Sequence, residues 1–249
     1  MEPLTPPALS VVVPAHNEAD NIADLVNEIA AALDGRVDYE IVVVDDGSSD
    51  GTDAALRALG ALHARLRPLR HDRQSGQSAA IWTGVNAARG TWIATLDGDG
   101  QNDPADIMAL WAMIAPEQTE PGRMIAGQRK RRQDSWLRLV SSRIANGVRG
   151  RLLGDNTPDT GCGLKLFPRA LFLGFPAFDH MHRFLPALAI RAGASVQSVP
   201  VNHRPRQKGR SHYGMHNRLW VGLVDMAGVM WLQRRQRRPG AVLTLRDKD

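Results

Sequence analysis

The 249-residue chain has a single cysteine, Cys162, which excludes an intramolecular disulfide and a cysteine-based zinc cage. Aromatic residues are only 5% of the sequence and no recognisable nucleic-acid motif occurs, which argues against a nucleic-acid binder. Long hydrophobic runs are missing as well. The longest, residues 219–232, falls short of the roughly 20 apolar residues that span a bilayer and has Asp225 inside it. The opening MEPLTPPALS lacks both the basic and the apolar region of a secretory signal. A cytoplasmic protein that crosses no membrane is the expectation, and no internal repeat or low-complexity linker divides it.

What is present is globular. Hydrophobic residues are 43% and charged residues 23%, both near the averages for folded domains. A chain of this length buries on the order of 70% of its unfolded surface. Lysine plus arginine number 31 against 26 acidic residues, a net charge of +5, with an isoelectric point near 10.0. That balance points to an anionic partner such as a nucleotide phosphate or an acidic membrane surface.

Short apolar runs alternate with helix-patterned stretches through the first half. Strands are expected at residues 9–15, 39–47, 91–97 and 123–128, with a short one around Pro68-Leu69-Arg70. Helices are expected at 18–33, 52–66, 76–89 and 104–115. This alternation implies an α/β fold with a largely parallel sheet covered on both faces. Ligands of such sheets bind beyond the carboxyl ends of the strands. The polar residues His16-Asn17-Glu18, Asp45-Asp46 and Asp97-Gly98-Asp99 therefore converge on one rim. The second half is less regular: a basic amphipathic helix at 136–154 capped by Gly154, a strand at 163–167, a proline-kinked helix at 181–193, and a strand from 194 into a basic loop.

The segment TLDGDGQNDP, residues 95–104, carries the clearest chemistry. Two carboxylates leave a buried strand one residue apart, and a hard cation such as Mg²⁺ or Mn²⁺ wants one or two carboxylates plus phosphate oxygens and water. The same residues also make an ordinary Asp/Gly turn, and SSDGT at 48–52 makes an ordinary helix cap. Asp45 or Asp46 is placed to accept from a base N–H and Glu18 from ribose hydroxyls.

Taken together, VVVPAHNEADNI, VVVDDGSSDGT, GQSAAIWTGVNAARG and LDGDGQNDP resemble the family 2 glycosyltransferases of GT-A fold, over about residues 8–216. The resemblance implies a Rossmann-like nucleotide-diphospho-sugar transferase domain at 1–216, followed by an amphipathic, membrane-interfacial helix and basic tail at 217–249. Three further features resemble the polyprenyl-phosphate glycosyltransferases, the group of dolichyl-phosphate mannosyltransferase: DGDGQ, DTGCGLKLF at 159–167, and RQKGRSHYG at 206–214. That likeness implies an inverting enzyme that moves one sugar from a UDP- or GDP-sugar to an undecaprenyl- or dolichyl-type phosphate. A hydroxyl acceptor on lipid A or an envelope polysaccharide is the alternative. It also implies a metal, Mg²⁺ or Mn²⁺, on Asp99 and Gln101, and donor binding by Pro14, His16, Glu18, Asp45, Asp46, Gln77 and Asp97. Acceptor or phosphate binding falls to Arg129, Arg143, Thr160, Arg206 and Ser211, with Asp97, Asp99, Arg143 and Arg206 as the catalytic set. His212 departs from the lysine common at its position, and the transmembrane helices carried by many bacterial members are not seen.

A phosphate-monoester acceptor is already ionised at neutral pH and needs cations rather than a general base. Arg129, Arg143, Arg204, Arg206, Lys208 and Arg210 supply them, and Asp159 is the one carboxylate of the second half that offers itself as a base. The scattered histidines 180, 182, 203, 212 and 216 do not read as a zinc site, and His182-Arg183 reads as a phosphate contact or local packing. Residues 215–238 combine an apolar helix, Trp220 and Trp231, and a polybasic flank, a pattern that fits an interfacial helix on an anionic leaflet. Such a chain would sit on the inner face of the cytoplasmic membrane, alone or as a homo-oligomer.

Overall fold

A computed structural model describes residues 6–114, 122–130, 147, 149–155, 157–205 and 218–235. The strands are β1 (Leu9–Ala15), β2 (Tyr39–Asp45), β3 (Leu66–Arg70), β4 (Trp92–Thr95), β5 (Arg123–Arg129), β6 (Lys165–Pro168) and β7 (Ser195–Val201). The helices are α1 (Ile22–Leu33), α2 (Thr52–Leu62), α3 (Gln77–Ala87), α4 (Asp106–Trp111), α5 (Arg169–Leu173), α6 (Leu185–Arg191) and α7 (Arg218–Arg234).

Among the described residues these strands form one seven-stranded sheet in the order β3-β2-β1-β4-β6-β5-β7. The β1–β2, β1–β4, β2–β3 and β5–β7 pairs are parallel. β1 and β2 are buried along their whole length, as their unbroken Val/Ile runs require of strands covered on both faces. Side chains alternate between two cores. Leu9, Val11 and Val13 face α1, α2 and α4, where Ile22, Val26, Ile29, Leu56 and Ile107 meet them. Val12, Val42 and Val44 face α3, α5 and α6, against Ile81, Val85, Phe172 and Leu188. Within α1 the spacing Ile22, Leu25, Val26, Ile29, Leu33 puts every large apolar group on one stripe.

One sequence expectation is sharpened and another corrected. The strand expected at 163–167 is β6, and it lies antiparallel between β4 and β5, so the sheet is mixed at that point. The expected kinked helix at 181–193 is a 3₁₀ turn at Met181–Arg183 followed by α6. Pro186 stands in the first turn of α6, where its missing N–H costs nothing, so it starts a helix instead of bending one. The Gly154 cap is as expected: at φ +67° it turns the chain out of a helical segment, donating its N–H to Gly150 O at 2.8 Å.

Helix α7 is docked by one face. Val229 is buried and Met226 and Met230 pack into the second core. Arg191 Nε donates to Leu232 O at 3.1 Å, and Gln233 Nε2 to Leu153 O at 2.9 Å. The opposite face leaves Leu223, Val224 and Trp231 in solvent, 42%, 70% and 59% exposed. Among the described residues no helix is long and apolar enough to cross a membrane.

Candidate active site

Parallel pairing of β1, β2 and β4 brings their carboxyl ends side by side, and the three polar segments meet there as expected. Pro14 lies within β1 opposite Val44 of β2. Beyond it His16 Nδ1 hydrogen-bonds Asp46 O at 2.7 Å. Glu18 accepts from Asn21 Nδ2 at 2.6 Å, and its N–H donates to Thr52 Oγ1 at 3.0 Å. Asn17, at φ +55°, accepts the Ser49 N–H at 2.8 Å, which clips the first rim loop to the second.

Asp45 and Asp46 are both buried and both engaged. Asp45 accepts from Arg70 and from the Ser48 N–H. Asp46 takes the amides of Ser75 and Gly76, each at 2.8 Å, and faces His71 Nδ1 at 2.7 Å. Asp46 therefore shapes the turn that opens α3, and that turn delivers Gln77. Gln77 Nε2 donates to Asp97 Oδ1 at 2.8 Å.

Asp97 is the pivot. Its amide donates to Asn102 Oδ1 at 3.3 Å. A Cβ on Gly163 would stand 2.3 Å from Asp97 Oδ2, so only glycine leaves room for this carboxylate. Burial and the negative charge of Asp99 push Asp97 up to about 6, against the pull of Lys165, Arg129 and the Gln77 hydrogen bond. Asp99 Oδ1 accepts the Gln101 N–H at 3.1 Å, so both expected metal ligands share one tight turn. Gln101 is held in turn by Arg204, whose N–H donates to Gln101 O at 2.9 Å.

Below this rim lies a cavity of about 420 Å³. Gln77, Asp97, Thr160, Lys165, His182 and Arg183 line it, together with Arg149 and the backbone of Gly161–Gly163. Thr160, expected on the acceptor side, is thus one of the cavity-lining residues. Lys165 is buried and donates through Nζ to Cys162 O, and burial lowers its pKa. His182 Nδ1 bonds Ser78 Oγ at 2.7 Å, and burial first, then Arg183, hold the ring down at about 3. Lys165, Arg149 and Asn102 are the groups that reading the sequence misses. Each belongs to a stretch that looks like ordinary strand, helix or turn, and only the antiparallel β6 turns Lys165 inward.

The cations expected on the acceptor side are distributed unevenly. Arg129 is locked to Asp159 by two bonds of 2.7 Å, so the candidate cation and the candidate base satisfy each other. Arg204 reaches Glu28 at 2.6 Å and Asp103 at 2.8 Å on the outer surface. Arg143, Arg206, Lys208, Arg210 and Ser211 lie outside the described residues.

The sequence from residue 10 to residue 174 matches the model of the glycosyl transferase family 2. The chain belongs to this family. Among curated relatives of this family 2 member, a dodecaprenyl-phosphate galacturonate synthase from Rhizobium johnstonii is 35% identical over 247 residues, covering 96% of this chain and 71% of that protein. An undecaprenyl-phosphate 4-deoxy-4-formamido-L-arabinose transferase from Edwardsiella ictaluri is 36% identical over 210 residues, covering 83% of this chain and 63% of that one. The chain thus spans about two thirds of the length of these relatives. In three dimensions it resembles glucosyl-3-phosphoglycerate synthase from Mycobacterium tuberculosis, solved with Mn²⁺, UDP-glucose and glycerol 3-phosphate, at a TM-score of 0.63 and 18% identity over 96% of this chain and 84% of that one. A mannosyltransferase from Pyrobaculum calidifontis, solved with GDP-mannose and Mn²⁺, gives a TM-score of 0.64 at 20% identity over 95% and 67%. These neighbours establish the GT-A fold.

Proposed function

We propose that this family 2 glycosyltransferase moves a single sugar, with inversion, from a nucleoside-diphosphate sugar to a polyprenyl phosphate. The observation that carries the reading is the charge of the cavity wall. Among the described residues its only carboxylate is Asp97, set against Arg149, Lys165 and Arg183. A hydroxyl acceptor needs a carboxylate or comparable base to take its proton. A phosphate monoester, with its second pKa near 6, needs none at pH 7. An oxygen of the acceptor phosphate attacks the anomeric carbon, the bond from that carbon to the diphosphate oxygen breaks, and its electron pair leaves with the nucleoside diphosphate. No proton is transferred. The names of the curated relatives, both acting on polyprenyl phosphates, support the same acceptor class.

The donor binds along the rim, with Pro14, His16, Glu18, Asp45 and Asp46 toward the nucleoside and Gln77 and Asp97 toward the sugar. A divalent cation fits Asp99 and Gln101. Both offer hard oxygen donors, and a cation held there would relieve the repulsion from Asp99 that, after burial, raises Asp97. Among the described residues no three His, Cys, Asp or Glu side chains gather into a metal cluster, so phosphate oxygens and water complete the shell. When bound, Mg²⁺ or Mn²⁺ supplies neutralising charge for the departing diphosphate. Peripheral attachment to the inner face of the cytoplasmic membrane runs through the outer face of α7, where Leu223, Val224 and Trp231 are exposed beside Arg234 and Arg235.

Purified protein given Mn²⁺ and a panel of labelled UDP- and GDP-sugars, UDP-galacturonate included, is expected to label undecaprenyl phosphate from one donor and to stop with chelator. Undecaprenol, the same lipid with a hydroxyl in place of the phosphate, is expected to stay unlabelled. Equal labelling of the alcohol overturns the reading.

A further inference from the structure

The cavity beneath Asp97 has a second end that the donor does not explain. Gly222 and Met226, one turn apart on α7, line it opposite the strand ends. Gly222 presents a hydrogen where any other residue would present a side chain, and a Cβ built there meets no atom of the described residues within 4 Å. The next residues on the same helix, Leu223 and Val224, are exposed to solvent. Gly222 thus joins an exposed apolar stretch of helix to a cation-lined chamber without a side chain of its own between them.

The cations differ in what they already hold. Arg149 gives its charge to Asp155 at 2.7 Å. Lys165 donates to a backbone oxygen, that of Cys162, and makes no ion pair among the described residues. Arg183 makes no side-chain hydrogen bond or ion pair among the described residues, although it is only partly exposed and its neighbour His182 is anchored to Ser78. A partly buried guanidinium with no carboxylate on it is an open seat for an anion, and its planar fork matches phosphate. The chamber volume of about 420 Å³ is in the ordinary range for a small-molecule site, roughly 300–1,000 Å³.

We propose that Arg183, with Lys165 behind it, is the seat of the acceptor phosphate, and that the isoprenoid chain passes from the membrane to this seat over Gly222. The inference rests on the polyprenyl-phosphate reading above and adds the residues and the route. It also gives α7 a double role, with one face toward the bilayer and one glycine-notched edge admitting the lipid headgroup. The anion at Arg183 is the lipid phosphate; a carboxylate on the donor sugar is the rival source that the experiment separates.

The test uses the full chain with phosphatidylcholine vesicles carrying undecaprenyl phosphate, phosphatidylglycerol at equal charge, or neither, and reads co-sedimentation. Thermal unfolding with Mn²⁺ and UDP, UDP-galacturonate or UDP-galactose runs in parallel. Wild type is expected to prefer undecaprenyl phosphate over phosphatidylglycerol. Arg183→Ala and Gly222→Leu are each expected to lose about tenfold of that preference, with Arg183→Lys recovering part of it. All three are expected to keep the wild-type nucleotide shifts. Gly222→Leu is expected to melt no lower than wild type, because a mid-helix glycine costs up to about 1 kcal/mol against a better helix former. Preference retained in both Arg183→Ala and Gly222→Leu overturns the inference alone. Selective loss of the UDP-galacturonate shift in Arg183→Ala overturns it in favour of a sugar carboxylate. A wild type with nucleotide shifts but no preference for undecaprenyl phosphate overturns the acceptor reading, and this inference with it.

Discussion

The two sides of the site, the rim proposed for the donor and the opposite side proposed for the acceptor, are held in place by different physical means. At the donor rim, amides supply most of the bonds that hold the carboxylates: Asp46 takes the N–H groups of Ser75 and Gly76 beside His71, Asp45 takes that of Ser48 beside its ion pair with Arg70, and Glu18 takes the Asn21 side chain. At the acceptor end, buried ion pairs do the work: Arg149 with Asp155 and Arg129 with Asp159. Amides fix a carboxylate by local chain geometry and leave its negative charge largely uncancelled. An ion pair cancels charge but costs desolvation at both partners. That cost is visible in the Arg149–Asp155 pair, where burial lowers the arginine and raises the aspartate, each toward its neutral form. The pair nonetheless positions the chain. Arg149 also donates to Arg183 O at 3.2 Å and lies over the Phe184 ring at 5.4 Å, fixing the segment that carries Arg183.

The largest effect is expected where this contrast is broken on the acceptor side. Arg149→Met leaves Asp155 charged and buried without a partner, a loss of about 3–5 kcal/mol. At roughly 2–4 °C per kcal/mol for a chain of this size, the melting temperature falls by about 6–20 °C. The double variant Arg149→Met with Asp155→Leu is expected to recover most of that stability while transfer stays low, because the anchor on Arg183 O is gone. Calorimetry on the single and double variants, beside a transfer assay, checks both halves; a single variant within about 1 kcal/mol of wild type removes the argument.

Between the two sides sits Asp97, and there the smallest side chain decides. Gly163→Ala puts a methyl group where the Asp97 carboxylate now lies, 2.3 Å from Oδ2. The carboxylate must move by about an ångström, and displacement on that scale costs on the order of a hundredfold in rate. Stability is expected to change far less than activity. Steady-state transfer rates beside melting curves separate the two, and unchanged kcat/KM would show that Asp97 tolerates displacement.

This division also explains what was legible in the sequence. The donor side follows from local rules: Val/Ile strands, turn residues after them, and parallel pairing that must bring His16, Asp45 and Asp97 to one rim. Its motifs are contiguous, so their chemistry can be read where they stand. The acceptor side depends on pairings distant in the chain. Nothing near Lys165 announces that β6 runs antiparallel and faces the residue inward, and nothing near Arg149 shows that Asp155 neutralises it. Arg129 shows the same limit. Its position at the end of β5 marks it as a free cation, and only the fold reveals Asp159 across from it.

His182 offers a gentler probe of the same end. Burial holds its ring at about 3 against an ordinary 6.5. The unfolded chain therefore takes up a proton as pH falls through 6.5 that the folded chain refuses until about 3. The unfolded state binds more protons in that window, so this histidine lowers stability as the solution is acidified. His182→Gln is expected to narrow the difference in melting temperature between about pH 7 and pH 4.5 by a few degrees. An unchanged difference would mean that the ring is protonated in the fold.

The smallest effect belongs to Arg204, where a strong-looking cation is a surface one. Its guanidinium is one-third exposed and bridges Glu28 and Asp103, and exposed pairs of this kind contribute about 0–1 kcal/mol. What matters at this residue is the backbone, whose N–H holds Gln101 O at 2.9 Å while Asn102 bridges His203 beside it. Arg204→Ala keeps that bond and is expected to leave the manganese dependence of transfer unchanged. Arg204→Pro removes the N–H and is expected to loosen the Asp99–Gln101 turn, raising the manganese concentration needed for half activity several-fold. Equal manganese curves for the two variants would assign the turn to Asp99 and its own local hydrogen bond alone, and would place the coupling between the rim and the strand end at β7 in the side chains.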